Sequence, residues 1–145
     1  MDTFVKIIPL RAMEDTKELA QTAQVEGFNF LNRLVREWED GTNQFDKPGE
    51  CLYGAFIENE LIGTAGLTVQ REGVGRVRRV YVHPNFRRQG IARQLMEIVL
   101  EVARQNFPVV VLYTETTGAG KLYESMGFTS ESSDGPDHAT HRLTF

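Results

Sequence analysis

The segment VHPNFRRQGIARQL, from Val82 to Leu95, sets two consecutive arginines and a lone glycine between a Pro-containing turn and an amphipathic helix. The first turn of a helix leaves backbone N–H groups without intrahelical acceptors and gathers about half a positive charge there. Such an end holds a phosphate-like anion when the backbone can come close, which glycine permits. RRQGIAR therefore reads as an anion cradle centred on Gly90, with Arg87, Arg88 and Arg93 adding attraction at longer range. From Gly73 to Met96 the chain carries six arginines (Arg76, Arg78, Arg79, Arg87, Arg88, Arg93) and no acid, within a protein of net charge −4. A basic island in an acidic chain is the pattern of an anion-binding surface.

Two familiar phosphate fingerprints do not fit. The dinucleotide loop needs G-x-G-x-x-G, and this loop has one glycine. The tail of a P-loop is imitated by TGAGKLY, but Glu115 stands where its first glycine belongs and Leu122 where Ser or Thr must hold a metal ion.

Hydrophobic periodicity predicts the elements that would position the cradle. A short strand covers Phe4 to Leu10, and helices cover Met13 to Val25 and Phe28 to Glu39. CLYGAFI and LIGTAGLTV form an antiparallel hairpin, and REGVG turns the chain into RVRRVYV. In that last strand Val77 is out of phase with Val80 and Val82, and a β-bulge near Arg78 and Arg79 would bring all three to one face. A helix from Gly90 to Gln105 carries an apolar stripe of Ile91, Leu95, Ile98, Val99 and Val102. FPVVVLY reads as a strand buried on both faces, a short helix spans Ala119 to Met126, and HATHRLTF is the final strand. The sum is an α+β domain, residues 1–145, around one mixed sheet.

Composition narrows the setting. A single cysteine, Cys51, excludes an internal disulfide framework and fits a reducing cytoplasm. No apolar run of about 18 residues and no basic-then-apolar leader appears, so neither membrane insertion nor secretion is expected. His83, His138 and His141 show no metal-ligand spacing, so no metal is expected. Overall acidity and the absence of a nucleic-acid-binding signature argue against a nucleic-acid partner.

With these residues in place, the sequence resembles the GNAT superfamily of acetyl-CoA-dependent N-acetyltransferases. The family motif [QR]-x-x-G-x-[GA] is matched by Arg87, Gly90 and Ala92, after a strand ending in YVHP (Tyr81 to Pro84). KLYESMGF, from Lys121 to Phe128, is similar to the family's second cofactor motif, and the order of elements agrees along almost the whole chain. The resemblance implies a mixed, mostly antiparallel sheet with about four helices, whose fourth and fifth strands splay apart around the thioester. It implies that backbone N–H groups across Arg88, Gln89, Gly90, Ile91, Ala92 and Arg93 hold the CoA pyrophosphate. Tyr81 and Val82 would pair with the pantetheine arm as if with another strand. Near Val82 a backbone N–H would polarise the thioester carbonyl, and Tyr123 would supply a proton to the departing thiolate.

The chain departs from the family at two positions. Many members carry a glutamate on the fourth strand where this one reads Arg76, Val77, Arg78, Arg79, and many have Asn where this one has Thr116. The general base is thus unassigned. Glu115 is the substitute candidate, ahead of Glu26 and Asp46. The acceptor pocket is expected between Glu26 and Glu50, with Phe30 and Phe45 lining it and Phe28 and Trp38 in the core. The acceptor is expected to be a primary amine on a small molecule or peptide. Because acids outnumber bases 20 to 10 outside the arginine island, a cationic acceptor is favoured. The missing fourth-strand acid also keeps open a catalytically silent acyl-CoA-binding domain, and a homodimer is allowed for.

Overall fold

The structure is a computed structural model and describes residues 4–145. Strand β1 (Lys6–Pro9) is followed by helices α1 (Glu14–Val25) and α2 (Phe30–Glu39), then by strands β2 (Cys51–Ile57), β3 (Glu60–Arg71) and β4 (Val74–Val82). A short 3-10 turn, Pro84–Phe86, leads into α3 (Ile91–Asn106), β5 (Val109–Leu112), α4 (Thr117–Ser125), β6 (Thr129–Ser130) and β7 (His141–Thr144). The strands form one sheet in the order β1-β2-β3-β4-β5-β7-β6, antiparallel except where β4 meets β5.

Each face of the sheet is covered by helices whose apolar stripes the sequence dictates. On one face Ile91, Leu95, Met96 and Val99 of α3 pack with Ile62, Leu67, Val110 and Leu112, joined by Tyr123 and Phe128. On the other, Leu19, Ala20 and Ala23 of α1 and Leu31, Leu34 and Val35 of α2 pack with Leu52, Leu61 and Tyr81. Ile98 and Val102, expected in the α3 stripe, are only partly buried, and Met96 takes the central place.

Two features of β4 shape everything that follows. Its parallel pairing with β5 runs through only Val74–Val109, Gly75–Val110 and Arg76–Val111. β5 ends at Leu112, and β4 continues past Arg76 to Val82 with no strand among the described residues paired to its β5-side edge. Second, Thr64 pairs with Tyr81 but Gly66 with Arg78, so three steps on β4 oppose two on β3. The extra residue falls where Arg79 adopts φ 59°. As expected from the valine phase, Val77 and Val82 are buried on the α3 face and Val80 packs against them. Arg79 and Tyr81 turn instead towards α1 and α2.

Some boundaries differ from expectation. The α4 helix begins at Thr117, two residues before the expected Ala119, and the final strand is shortened to His141–Thr144. The two-residue β6 escaped notice because Thr129–Ser130 has no apolar alternation to betray it. Phe45 is corrected outright: only 5 % exposed, it packs under Gly66, where an added Cβ would stand 2.5 Å from its ring. It fills the core and does not line an open pocket.

Candidate active site

The entry to α3 is built as an open anion cradle. The 3-10 turn is closed by Phe86 N donating to His83 O (2.9 Å) and Asn85 N to His83 Nδ1 (3.1 Å). Arg88 (φ 64°) and Gly90 (φ 78°) then both take the left-handed conformation, which an arginine rarely adopts. The first helical bond runs from Gln94 N to Gly90 O at 3.0 Å, so the N–H groups of Gly90, Ile91, Ala92 and Arg93 have no acceptor among the described residues. No described residue beyond its chain neighbours lies within 4 Å of where a Gly90 Cβ would stand. Ile91 is buried and Ala92 packs beside it, so both side chains anchor the turn while their amides face outward. Left-handed turns followed by free amides form a concavity suited to an anion.

The arginines divide sharply. Arg88 is exposed and has no protein acceptor among the described residues, and Arg93 donates to Ser125 Oγ at 2.6 Å. Arg87, expected to face phosphate, is committed elsewhere. Its terminal nitrogens grip both oxygens of Glu26 (2.8 and 2.7 Å), its Nε donates to Val82 O (2.9 Å), and it lies 5.4 Å from the centre of the Tyr81 ring. The Tyr81 hydroxyl also donates to Glu26 Oε1. This clasp ties the end of α1 to β4. Arg87 holds Glu26 below the usual carboxylate range, with Tyr81 assisting, so Glu26 is poorly suited to take a proton. Burial and Glu26 push the Tyr81 phenol up.

At the end of β4, His83 N donates to Ile62 O at 2.7 Å. Because hydrogen-bonding direction alternates along a strand, the backbone of Val82 points to the opposite edge, into the opening between β4 and β5. Tyr123, in the same core cluster as Val82, is 5 % exposed and flanked by Phe128 (5.9 Å between ring centres) and His141 (6.2 Å). Its hydroxyl bonds to no described residue and is not sealed off. Burial pushes its pKa up to about 12, so it keeps its proton at neutral pH.

His141 was missed by sequence reasoning. Its Nε2 is 3.2 Å from Glu124 Oε2, its Nδ1 is 3.0 Å from Thr140 Oγ1, and Gly120 leaves room for the ring beneath α4. Its place at the start of an alternating final strand was the one available signal. Glu115 lies exposed in the loop after β5, where it accepts a hydrogen bond from Tyr113 (3.0 Å). Phe30 is half-buried and meets the Tyr81 ring edge-on at 6.0 Å, on the α1–α2 side of the sheet. Asp46 is exposed.

Comparison with known proteins decides the family. Residues 13–128 match the model of the acetyltransferase (GNAT) family. The chain belongs to that family. An N-acetylaspartate synthetase from Xenopus tropicalis is 38 % identical over 86 residues, covering 57 % of this chain and 32 % of that protein. N-acetyltransferase 8 from Homo sapiens is 36 % identical over 104 residues, covering 66 % and 46 %. The match thus spans a third to a half of the length of these curated relatives. A crystal structure from Exiguobacterium sp. 255-15, described as an acetyltransferase, superposes with TM-score 0.84 at 28 % identity and covers 99 % of this chain and 94 % of that one. The mixed sheet with parallel β4 and β5 is accordingly the GNAT fold, and the α3 entry, Val82 and Tyr123 all lie within the residues that the family model matches. No helix among the described residues is long and apolar enough to cross a membrane.

Proposed function

We propose that the chain transfers an acetyl group from acetyl-CoA to a primary amine of a small molecule or peptide, by direct attack of the amine on the thioester. One observation carries the reading. The β4–β5 pairing ends at Arg76 and leaves the Val82 N–H without a strand partner on the edge away from β3, while the α3 entry offers free amides and Tyr123, in the same core cluster as Val82, keeps a hydroxyl without a partner among the described residues. The α3 amides would hold the pyrophosphate, and the free β4 edge would bind the amide-bearing pantetheine arm. The Val82 N–H would stabilise negative charge on the carbonyl oxygen. The amine gives up its proton to water, its nitrogen bonds to the acetyl carbon, and the carbon–sulfur bond breaks. Tyr123 protonates the departing thiolate and recovers its own proton from solvent.

A second reading, a silent acyl-CoA-binding domain, draws support from Glu26, whose carboxylate is occupied by Arg87 and Tyr81. CoA release from acetyl-CoA with a panel of amines separates the two. Turnover with any amine supports transfer. Tight CoA binding with no release across the panel supports the silent domain. CoA should also raise Tm by several degrees at saturating concentration, and NAD and ATP, which lack pantetheine, much less. Equal shifts from all three would reduce the site to a general anion cradle.

A further inference from the structure

The arginines of β4 do not serve the cradle, and they are not all neutralised. Arg76 is used up: its terminal nitrogens donate to the carbonyls of Asp137 (2.8 Å) and His138 (3.2 Å). Arg79 has a side chain only 7 % exposed, on a backbone bulged to φ 59°. Its Nη2 donates to Glu37 at 3.1 Å, but its Nε is buried without an acceptor among the described residues. Beside it, Arg78 is fixed by Nε donating to Thr68 Oγ1 at 3.1 Å. That bond leaves both terminal nitrogens of Arg78, the fork that grips a carboxylate bidentately, without an acceptor among the described residues.

The local charge is unbalanced. Arg78 and Arg79 face the α1–α2 side with Glu37 as the hydrogen-bonded carboxylate, while Asp137 is claimed by Arg71 and Arg142. Burial and then the neighbouring Arg78 and Arg33 work against the charge on Arg79. A buried guanidinium N–H without an acceptor costs free energy unless something fills the place. These groups stand just past the last β4–β5 pair, on the side of the sheet where the acceptor is expected.

We propose that Arg78, backed by Arg79, docks a carboxylate of the acceptor, so that the acceptor is an amino acid or a similarly acidic small amine. This rests on the acetyl-transfer reading above and reverses the cationic acceptor suggested by overall composition. Net charge describes the whole surface, whereas an acceptor meets only the few groups that face it.

The test is CoA release from acetyl-CoA with three acceptor sets: free L-amino acids including aspartate, the matching amino-acid amides, and polyamines. It is run on the parent and on Arg78→Gln and Arg78→Lys, with CoA affinity measured by calorimetry. The expected result is a preference for carboxylate-bearing acceptors over their amides. Arg78→Gln should raise KM for them about 10- to 100-fold and erase the preference, with kcat and CoA affinity close to the parent. Arg78→Lys should recover part of the loss. Turnover of amides or polyamines in preference to amino acids overturns the inference and leaves acetyl transfer standing. A carboxylate preference that survives Arg78→Gln also overturns it. Failure to bind CoA, or binding without release from any acceptor, defeats the transfer reading itself.

Discussion

The two sides of the cleft use the same residue type in opposite ways. At the α3 entry, Arg88 is exposed without an acceptor among the described residues, and the proposed recognition surface is the backbone of four consecutive residues. On the α1–α2 side, Arg76, Arg78 and Arg79 are each held by residues 10 to 61 positions away: Thr68, Glu37 and the carbonyl of Asp137. A surface made from consecutive residues depends on backbone conformation and tolerates loss of a side chain. One assembled across the fold depends on which side chains meet. The first should break when the backbone is blocked, the second when a partner is removed.

The largest effect is therefore expected at Gly90. Gly90→Glu forces a side chain into a left-handed position and sets a negative charge beside the pyrophosphate. Like-charge contact and backbone strain together amount to about 4 kcal/mol, or about 10³-fold in CoA affinity. Calorimetry giving the parent's affinity would remove the cradle. Tyr123→Phe comes next, and it probes the chemistry between the two sides. The ring and its packing on Phe128 stay, and only the unpaired hydroxyl is lost. Turnover should fall about 10²-fold with CoA affinity unchanged, the signature of an interaction made mainly in the transition state. Full kcat in this variant would assign the proton to water.

The same division explains what the sequence revealed. Gly90, Ala92 and the LYESMGF segment are local patterns, and the valine phase in β4 is enough to disclose the bulge. The destinations of Arg76, Arg79 and Arg87 were not legible. Each depends on which acceptor the fold brings near, and nothing in RVRRV specifies Glu37 or Asp137. Phe45 misled for the same reason. Its apparent place off the helical stripe came from reading a loop residue, but Gly66 leaves a hollow in β3 that its ring fills. The pairing of His141 with Glu124 across β7 and α4 was hidden likewise.

Removing a long-range partner is the next test. Asp137 is 1 % exposed and held by Arg71 (2.9 and 3.1 Å) and Arg142 (2.7 Å), which pins the β6–β7 loop against β3. Asp137→Asn should cost about 2 kcal/mol at neutral pH, lowering Tm by roughly 5 °C. The two guanidinium groups hold its folded-state carboxyl far below the ordinary value. Its charge therefore stabilises fully above the unfolded pKa, near 3.9, and that contribution is lost as pH falls through the folded value. The Tm gap between parent and variant should be full at pH 7 and narrow below about pH 4. A gap independent of pH would mean that packing, and not charge, is what the substitution removed.

The smallest effect is expected from Arg88→Ala. The side chain is exposed, has no described partner, and would meet phosphate only through solvent-screened attraction. Its loss should weaken CoA binding by about 1 kcal/mol or less, and by still less at high salt. Removing the side chain leaves the positive φ at residue 88 in place, because alanine tolerates that conformation about as poorly as arginine does. The cradle backbone therefore survives, and acceptor KM should not change. Calorimetry at two salt concentrations checks this. A loss of 2 kcal/mol or more that persists in high salt would show Arg88 bonded directly to the cofactor, and the α3 side would then depend on its side chains as the other side does.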